Sequence, residues 1–130
     1  MKQIHLTLYL SILLLFFGCV KEPGEGGSSS IVGKVLQEEL SASGSVDRSY
    51  YIAEERVYLV YVDDDFYGQE VRTHHDGTYR FDYLNKGVYQ IYAYSDCSTC
   101  LSKVEPIILT VTIEDNGDEV VLEDLVIKDF

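Results

Sequence analysis

The sequence predicts an all-β protein: a seven-stranded antiparallel two-sheet sandwich with Greek-key connections. Three observations lead to this prediction. Short runs rich in β-branched and aromatic residues alternate with clusters of Gly, Asn, Asp and Ser, which is the usual pattern of strands and turns. The chain contains 11 tyrosines and no tryptophan, a composition that favours pleated, half-buried surfaces. The segment 31–130 is long enough for one hydrophobic core but hardly for two.

The positions of these runs predict where the strands lie. The predicted strands are residues 31–36, 56–62, 69–74, 78–84, 87–95, 104–114 and 119–128. Within them apolar and polar residues alternate with a period of two, as expected when one face is buried and the other meets water. The predicted core residues are Val57, Leu59, Tyr61, Tyr79, Phe81, Tyr83, Ile107, Leu109, Val111 and Ile113.

Three short turns separate predicted strands, at residues 76–77, 85–87 and 116–117. Their Asn, Asp and Gly residues tolerate a positive φ, so we expect each turn to join two antiparallel neighbours. The segment 37–55 is long and polar, which predicts a mobile loop with a turn of helix near residues 36–40. Such a loop is either a contact surface or merely tolerated.

A family resemblance supports the sandwich. Residues 76–94, DGTYRFDYLNKGVYQIYAY, resemble the D-G-x-Y-x-F-x-x-L-x-x-G-x-Y-x-I/V signature of prealbumin-like sandwiches, which include the carboxypeptidase regulatory-like domains. Residues 31–35, IVGKV, resemble the first strand of the same group, and residues 56–59, RVYL, resemble its second. The resemblance implies the fold. It implies no single activity, because such domains mostly serve as stalks, spacers or binding platforms.

The N-terminus resembles a bacterial lipoprotein signal of the Bacteroidetes type. Lys2 precedes a mostly apolar run at residues 4–17, and Gly18 stands directly before Cys19. In that family the signal peptide is cut before the cysteine, here Cys19, whose sulfur receives a diacylglycerol. The alternative is an uncleaved spanning helix, which needs about 20 apolar residues, more than this run provides. The predicted organisation is a signal peptide at 1–18, a lipidated flexible tether at 19–30 and a β-sandwich domain at 31–130.

The tether and the net charge bear on location and partners. Residues 20–30 contain Pro23, three glycines and three consecutive serines, which is typical of a solvated linker. Lys21 and Glu22 resemble a surface-sorting signal, but they fit an ordinary polar linker equally well. We therefore predict an outer-membrane lipoprotein on its periplasmic or cell-surface face. The formal net charge of −12 argues against nucleic acid as a partner, because phosphates would repel such a polyanion.

Two cysteines remain for the domain once Cys19 is assigned to the lipid. Cys97 and Cys100 are three residues apart in a predicted loop of an exported protein, which predicts a local disulfide. A redox-active pair, free thiols or a metal site are the alternatives. Redox-active thiols usually stand at a helix N-terminus, whereas this pair lies between two predicted strands.

The sequence contains no recognisable catalytic motif. It lacks a Gly-x-Ser-x-Gly motif, a His-Glu-x-x-His motif and a glycine-rich phosphate loop. The neighbours His74 and His75 would point to opposite faces of a strand, and the acidic run at 63–65 lacks calcium-loop spacing. We therefore expect no catalytic residue, no metal and no cofactor.

These observations together predict a non-enzymatic, lipid-anchored module of the envelope. It would meet the membrane through its lipid, and it would contact another envelope protein or a glycan. The candidate contact residues are the tyrosines expected to be exposed, Tyr50, Tyr51 and Tyr67. The alternative function is a thiol-disulfide or metal-dependent activity centred on Cys97 and Cys100.

Overall fold

The computed structural model describes residues 22–62 and 64–130, which contain nine β-strands. They are β1 (Glu25–Leu40), β2 (Val46–Tyr51), β3 (Arg56–Tyr61), β4 (Gln69–Arg72), β5 (Thr78–Leu84), β6 (Gly87–Asp96), β7 (Val104–Ile113), β8 (Glu119–Val121) and β9 (Leu125–Asp129). The predicted signal peptide, the lipidation of Cys19 and the first residues of the tether lie outside the described residues. No helix in the described ranges has the length and apolar character needed to cross a bilayer.

The strands form two sheets. One sheet has the order β4-β3-β6-β7, and all its neighbours are antiparallel. In the other sheet β1 pairs antiparallel with β2 and β5 and parallel with β8 and β9. The all-β, two-sheet prediction is confirmed. The predicted number of seven strands is wrong, because β2 forms in the segment predicted as a loop and the last predicted strand is divided into β8 and β9. The purely antiparallel pairing is wrong as well, because β8 and β9 run parallel to β1.

Strand β1 is 16 residues long and extends beyond its predicted bounds at both ends. It begins inside the predicted tether, and it continues as a strand through the residues predicted to form a helical turn. Buried positions alternate along it at Ile31, Gly33, Val35 and Gln37, so the strand period reaches into the segment predicted as a loop. Strand β2 lies in the same segment, and all its residues are exposed. A strand that is exposed on both faces shows no alternation of apolar and polar residues, so the sequence pattern does not identify it.

The three turns predicted to close hairpins instead connect the two sheets. They lead from β4 to β5, from β5 to β6 and from β7 to β8, and in each case the two strands belong to different sheets. The observed hairpins are β1–β2, β3–β4 and β6–β7. The hairpin prediction is wrong because Asn, Asp and Gly allow a reversal without specifying whether the next strand pairs or crosses to the facing sheet, about 10 Å away.

The core lies between the sheets and includes most of the predicted residues. Val57, Leu59, Tyr79, Phe81, Val111 and Ile113 are buried, and Tyr61, Ile107 and Leu109 are partly buried against them. Tyr83 is the exception. Its φ of 60° turns the chain outward, so its side chain is 75% exposed and Leu84 enters the core in its place. This local change of register could not be seen in an alternating sequence pattern.

Gly33 provides the space for the largest buried ring. It lies opposite Tyr79 in the β1–β5 pair, and a Cβ atom at Gly33 would overlap the Tyr79 ring. Burial raises the pKa of the Tyr79 hydroxyl, which has no hydrogen-bond partner among the described residues. The close approach of ring and backbone explains why a strand interior contains glycine here.

A hydrogen-bond network joins residues 22–25, at the start of β1, to Asn85 and Tyr89. The Tyr89 hydroxyl donates to the Asn85 carbonyl oxygen at 2.7 Å and accepts from the Gly24 N–H at 2.9 Å. The Asn85 side-chain amide donates to the carbonyl oxygens of Glu22 and Glu25 at 3.2 and 3.1 Å. Residues 22–30 therefore belong to the folded domain, and the prediction of a flexible tether is wrong for this part of it.

We expect Tyr89→Phe to lower the free energy of unfolding by about 1–3 kcal/mol, because it leaves buried backbone groups of Asn85 and Gly24 without a partner. Denaturant unfolding of the domain from residue 22 onward measures this change. Tyr83→Phe is the matched control, since it removes the hydroxyl of an exposed tyrosine and should change stability by less than about 0.5 kcal/mol. Equal stability of the two variants would contradict the role assigned to the network.

Candidate functional site

Four tyrosines lie together on the outer face of the β4-β3-β6-β7 sheet. Tyr58 comes from β3, Tyr92 and Tyr94 come from β6, and Tyr67 comes from the loop between β3 and β4. The rings of Tyr58 and Tyr92 are stacked, with centroids 4.8 Å apart and an interplanar angle of 16°. We call these four side chains the tyrosine cluster.

Strand register explains why the cluster forms. Tyr58 and Tyr92 are direct cross-strand partners in the β3–β6 pair, so their rings stand side by side on the same face. Tyr94 lies two residues after Tyr92 and therefore projects from that face as well. On the buried face of the same strands, Leu59 pairs with Ile91, which fixes the opposite orientation for the tyrosines.

The outer two rings contact the stacked pair edge-on. The Tyr67 ring lies 4.9 Å from Tyr58 at 60°, and the Tyr94 ring lies 5.5 Å from Tyr92 at 82°. Tyr67 is 50% exposed and Tyr94 is 45% exposed, whereas Tyr58 and Tyr92 are largely covered. The stacked pair thus supports two rings that remain available to a ligand.

The pKa of Tyr92, one of the two stacked tyrosines, is raised by its surroundings. Burial, followed by the neighbouring Tyr94 and Tyr58 phenols, raises the pKa of Tyr92 to about 12. Tyr92 is neutral at physiological pH, as tyrosine normally is, so its ring provides apolar surface and its hydroxyl can form hydrogen bonds.

Both polar and apolar residues of the neighbouring strands lie opposite the tyrosines of the cluster. Tyr58 is opposite Glu70 on β4, Tyr92 is opposite Ile108 on β7, and Tyr94 is opposite Pro106. Gln90 lies two residues before Tyr92 on β6, where it is opposite Val60 of β3 on one side and Thr110 of β7 on the other. The cluster is thus an apolar platform with a few hydrogen-bonding groups at its border.

The three tyrosines predicted as contact residues do not form one site. Tyr67 belongs to the tyrosine cluster, whereas Tyr50 and Tyr51 lie on β2 in the other sheet. The Tyr50 hydroxyl donates to Glu39 at 3.0 Å, and the Tyr51 hydroxyl donates to Asp124 at 3.0 Å. These bonds tie β2 to neighbouring elements, which indicates a structural role for Tyr50 and Tyr51.

Sequence reasoning missed Tyr58, Tyr92 and Tyr94, although a signal was present. All three stand at outward positions of correctly predicted strands: Tyr58 lies between the predicted core residues Val57 and Leu59, and Tyr92 and Tyr94 alternate with buried residues of β6. The strands alone could not bring them together, because β3 and β6 become neighbours only through the sheet order, and they are separated in sequence by β4 and β5.

Cys97 and Cys100 are joined in a disulfide in the loop between β6 and β7. The Cys97 N–H donates to the Lys103 carbonyl oxygen at 2.8 Å, which closes the base of this loop. Glu105 lies near both sulfur atoms and completes a possible set of metal ligands. In this bonded form the sulfur atoms offer no thiolate ligand to a metal.

A cleft of about 450 Å³ lies at the edge between the sheets, away from the tyrosine cluster. Its lining includes Gln69 and Glu70 of β4 and Arg80, Asp82 and Tyr83 of β5. Arg80 is already occupied, since it donates to Asp82 at 2.7 Å, to Glu119 at 2.6 Å and to Ser30 at 3.0 Å. The most strongly donating side chain of the cleft is therefore already bonded within the protein.

Comparison with known proteins identifies a similar fold but no family. No known protein family matches the sequence, and no curated protein matches it. Among solved structures, the fold is similar to that of a proposed carbohydrate-binding protein from Pseudomonas aeruginosa, with a TM-score of 0.50 and 19% sequence identity. The similarity covers 77% of this chain and 90% of that one. At this level of identity, the similarity bears on the fold alone.

We expect the double variant Cys97→Ser, Cys100→Ser to fold and to lose at most about 2 kcal/mol of stability, because the disulfide closes a very short loop. Thermal unfolding measures the change. Adding reductant to the unmodified protein should reproduce the same shift, and reductant should have no effect on the double variant. Failure of the double variant to fold would contradict a local structural role for the disulfide.

Proposed function

We propose that the protein is a non-enzymatic, lipid-anchored envelope module that binds glycans through the tyrosine cluster. The observation that supports this proposal is the tyrosine cluster itself. Its four rings contact one another on the outer face of the β4-β3-β6-β7 sheet, and two of them, Tyr67 and Tyr94, are about half exposed. An aromatic ring is less favourable in water than in the core. A cluster of exposed rings is therefore more typical of a ligand-binding surface than of an ordinary protein surface.

The chemistry of the cluster suits a sugar ring. A pyranose presents an apolar face of C–H groups and an edge of hydroxyls, so it can contact Tyr67 or Tyr94 by its face while its hydroxyls reach polar neighbours. Gln90, Thr110 and Glu70 supply donors and acceptors beside the rings. Tyrosine contributes both contact area and a hydroxyl at a low cost in conformational entropy.

The structural comparison is consistent with this choice of ligand. The similar protein from Pseudomonas aeruginosa is itself proposed to bind carbohydrate. A shared fold does not fix a shared ligand, so the tyrosine cluster remains the main support.

Anchoring through Cys19 is the second part of the proposal, and it rests on the signal-like N-terminus. Glu22, the first described residue, follows Cys19 by three positions, a distance of at most about 11 Å when fully extended. Because residues 22–30 belong to the folded domain, a lipid on Cys19 would hold the sandwich close to the outer membrane, on its periplasmic or cell-surface face. Two or more acyl chains are sufficient for stable attachment.

We expect Tyr67→Ala and Tyr94→Ala each to weaken glycan binding roughly 2- to 10-fold, the range typical of one aromatic contact. A glycan array identifies the bound sugars, and titration of the best of them gives the affinities. The matched control is Tyr83→Ala, which removes an exposed ring from the other sheet and should leave affinity unchanged. Binding that survives both cluster substitutions would place the glycan site elsewhere, and the absence of any bound glycan would contradict the proposal.

We expect Cys19→Ser to shift the protein from the membrane fraction to the soluble fraction of a producing bacterium, because the acyl acceptor is lost. Fractionation after metabolic labelling with a fatty-acid analogue measures both location and modification. Ser11→Ala within the predicted signal is the control and should leave both unchanged. Continued labelling of the Cys19→Ser protein would show that Cys19 is not the lipidated residue.

A further inference from the structure

Two arginines border the tyrosine cluster on the same sheet face. Arg56 lies two residues before Tyr58 on β3, and Arg72 lies opposite Arg56 on β4. Both side chains are about half exposed. Like charges placed directly opposite each other on paired strands repel and destabilise the pair. Such an arrangement becomes favourable when an anion lies between the two guanidinium groups.

The acidic neighbours of these arginines leave them incompletely paired. The Arg56 Nε atom lies 3.5 Å from Glu70, and the Arg72 Nη1 atom lies 3.7 Å from Glu54. Charge-assisted hydrogen bonds are usually about 2.7–2.9 Å long, so both of these contacts are loose. The Arg72 Nη1 atom also donates to the Glu54 carbonyl oxygen at 3.4 Å, but most of the five N–H donors of each guanidinium group remain available.

The other two arginines of the chain differ in this respect. Arg48 bonds Glu39 through two nitrogens, the shorter contact being 2.6 Å. Arg80 contacts Glu119 at 2.6 Å and Asp82 at 2.7 Å. Both arginines lie on the other sheet and are occupied by carboxylates. Loose pairing is thus a property of the two arginines beside the tyrosine cluster and not of every arginine in the protein.

We propose that the ligand of the tyrosine cluster is an acidic glycan, one that contains uronic acid residues. This inference rests on the proposed glycan-binding function and specifies its substrate class. One sugar ring contacts the tyrosines, and a carboxylate of the same or a neighbouring residue binds between Arg56 and Arg72. The planar guanidinium group matches a carboxylate with two parallel hydrogen bonds, which makes arginine suited to this contact.

The net charge of −12 does not prevent such binding. Charges farther apart than the Debye length, about 8 Å at physiological ionic strength, are largely screened. The acidic loop residues Asp64 and Asp65 follow the last residue of β3, whereas Arg56 is its first residue. At the arginine end the nearby charges are Arg56 and Arg72 together with the acids Glu54, Glu55 and Glu70, so a bound carboxylate must compete with these acids for the two guanidinium groups.

The test uses a glycan array that contains uronate polymers and neutral polymers, among them polygalacturonate and its fully methyl-esterified form. The esterified polymer has the same sugars without the charge, so it isolates the carboxylate. We expect the unmodified protein to bind uronate glycans and to bind the ester at least 10-fold more weakly. Arg56→Gln and Arg72→Gln should each reduce uronate binding about 10-fold, the usual loss for one charge-assisted hydrogen bond.

Arg48→Gln is the matched control, because it makes the same change of charge on the opposite sheet. It should leave uronate binding within twofold of the unmodified protein. Circular dichroism and unfolding curves verify that all three variants fold. An equal loss in the control would show a general charge effect and would contradict the inference.

The remaining outcomes separate this inference from the function on which it rests. Binding restricted to neutral or sulfated glycans would overturn the uronate assignment while leaving a glycan-binding function in place. Binding to no glycan of either kind would overturn both. Binding to uronates that Tyr67→Ala and Tyr94→Ala weaken but the arginine variants do not would keep the cluster and overturn the role of the arginines.

Discussion

The architecture depends on strand β1, which pairs with every other strand of its sheet. Its first half lies between β5 and β8, and its second half lies between β2 and β9. Sixteen residues of one strand thus align four others, and the inward side chains Ile31, Val35 and Gln37 face the second sheet. Because the hydrogen bonds of four strands depend on this register, a slip of one residue in β1 would turn its core side chains to solvent.

The tyrosines divide into two groups with different physical roles. Tyr79 and Tyr89 are fully buried, one above Gly33 and the other in the network with Asn85 and Gly24. Tyr58, Tyr67, Tyr92 and Tyr94 contact one another on the outside of the sandwich. Burial of a tyrosine requires a defined environment for its hydroxyl, whereas an exposed ring requires only a supporting surface. The same residue type therefore builds the core on one side of the β4-β3-β6-β7 sheet and an exposed aromatic surface on the other.

Much of the fold was predictable, and the errors have common causes. Strands with one buried face, such as β3, β5 and β7, lie close to their predicted bounds because alternation marks them clearly. The exposed strand β2 and the ends of β1 carry no such pattern and were assigned to a loop and a tether. At the candidate site, Tyr67 was predicted as a tyrosine expected to be exposed. Tyr58, Tyr92 and Tyr94 were not, since their contact results from the pairing of β3 with β6.

The sequence by itself determined the all-β class, many residues of the core, the close spacing of Cys97 and Cys100, and the excess of acidic residues. These features are local, because each depends on residue type and on spacing within a few positions. Only the tertiary structure decided which turns cross between sheets, that β8 and β9 run parallel to β1, and that Arg56 and Arg72 stand beside four tyrosines. These are relations between strands far apart in the chain, and they arise from the joint burial of two sheets, which no short stretch of sequence specifies.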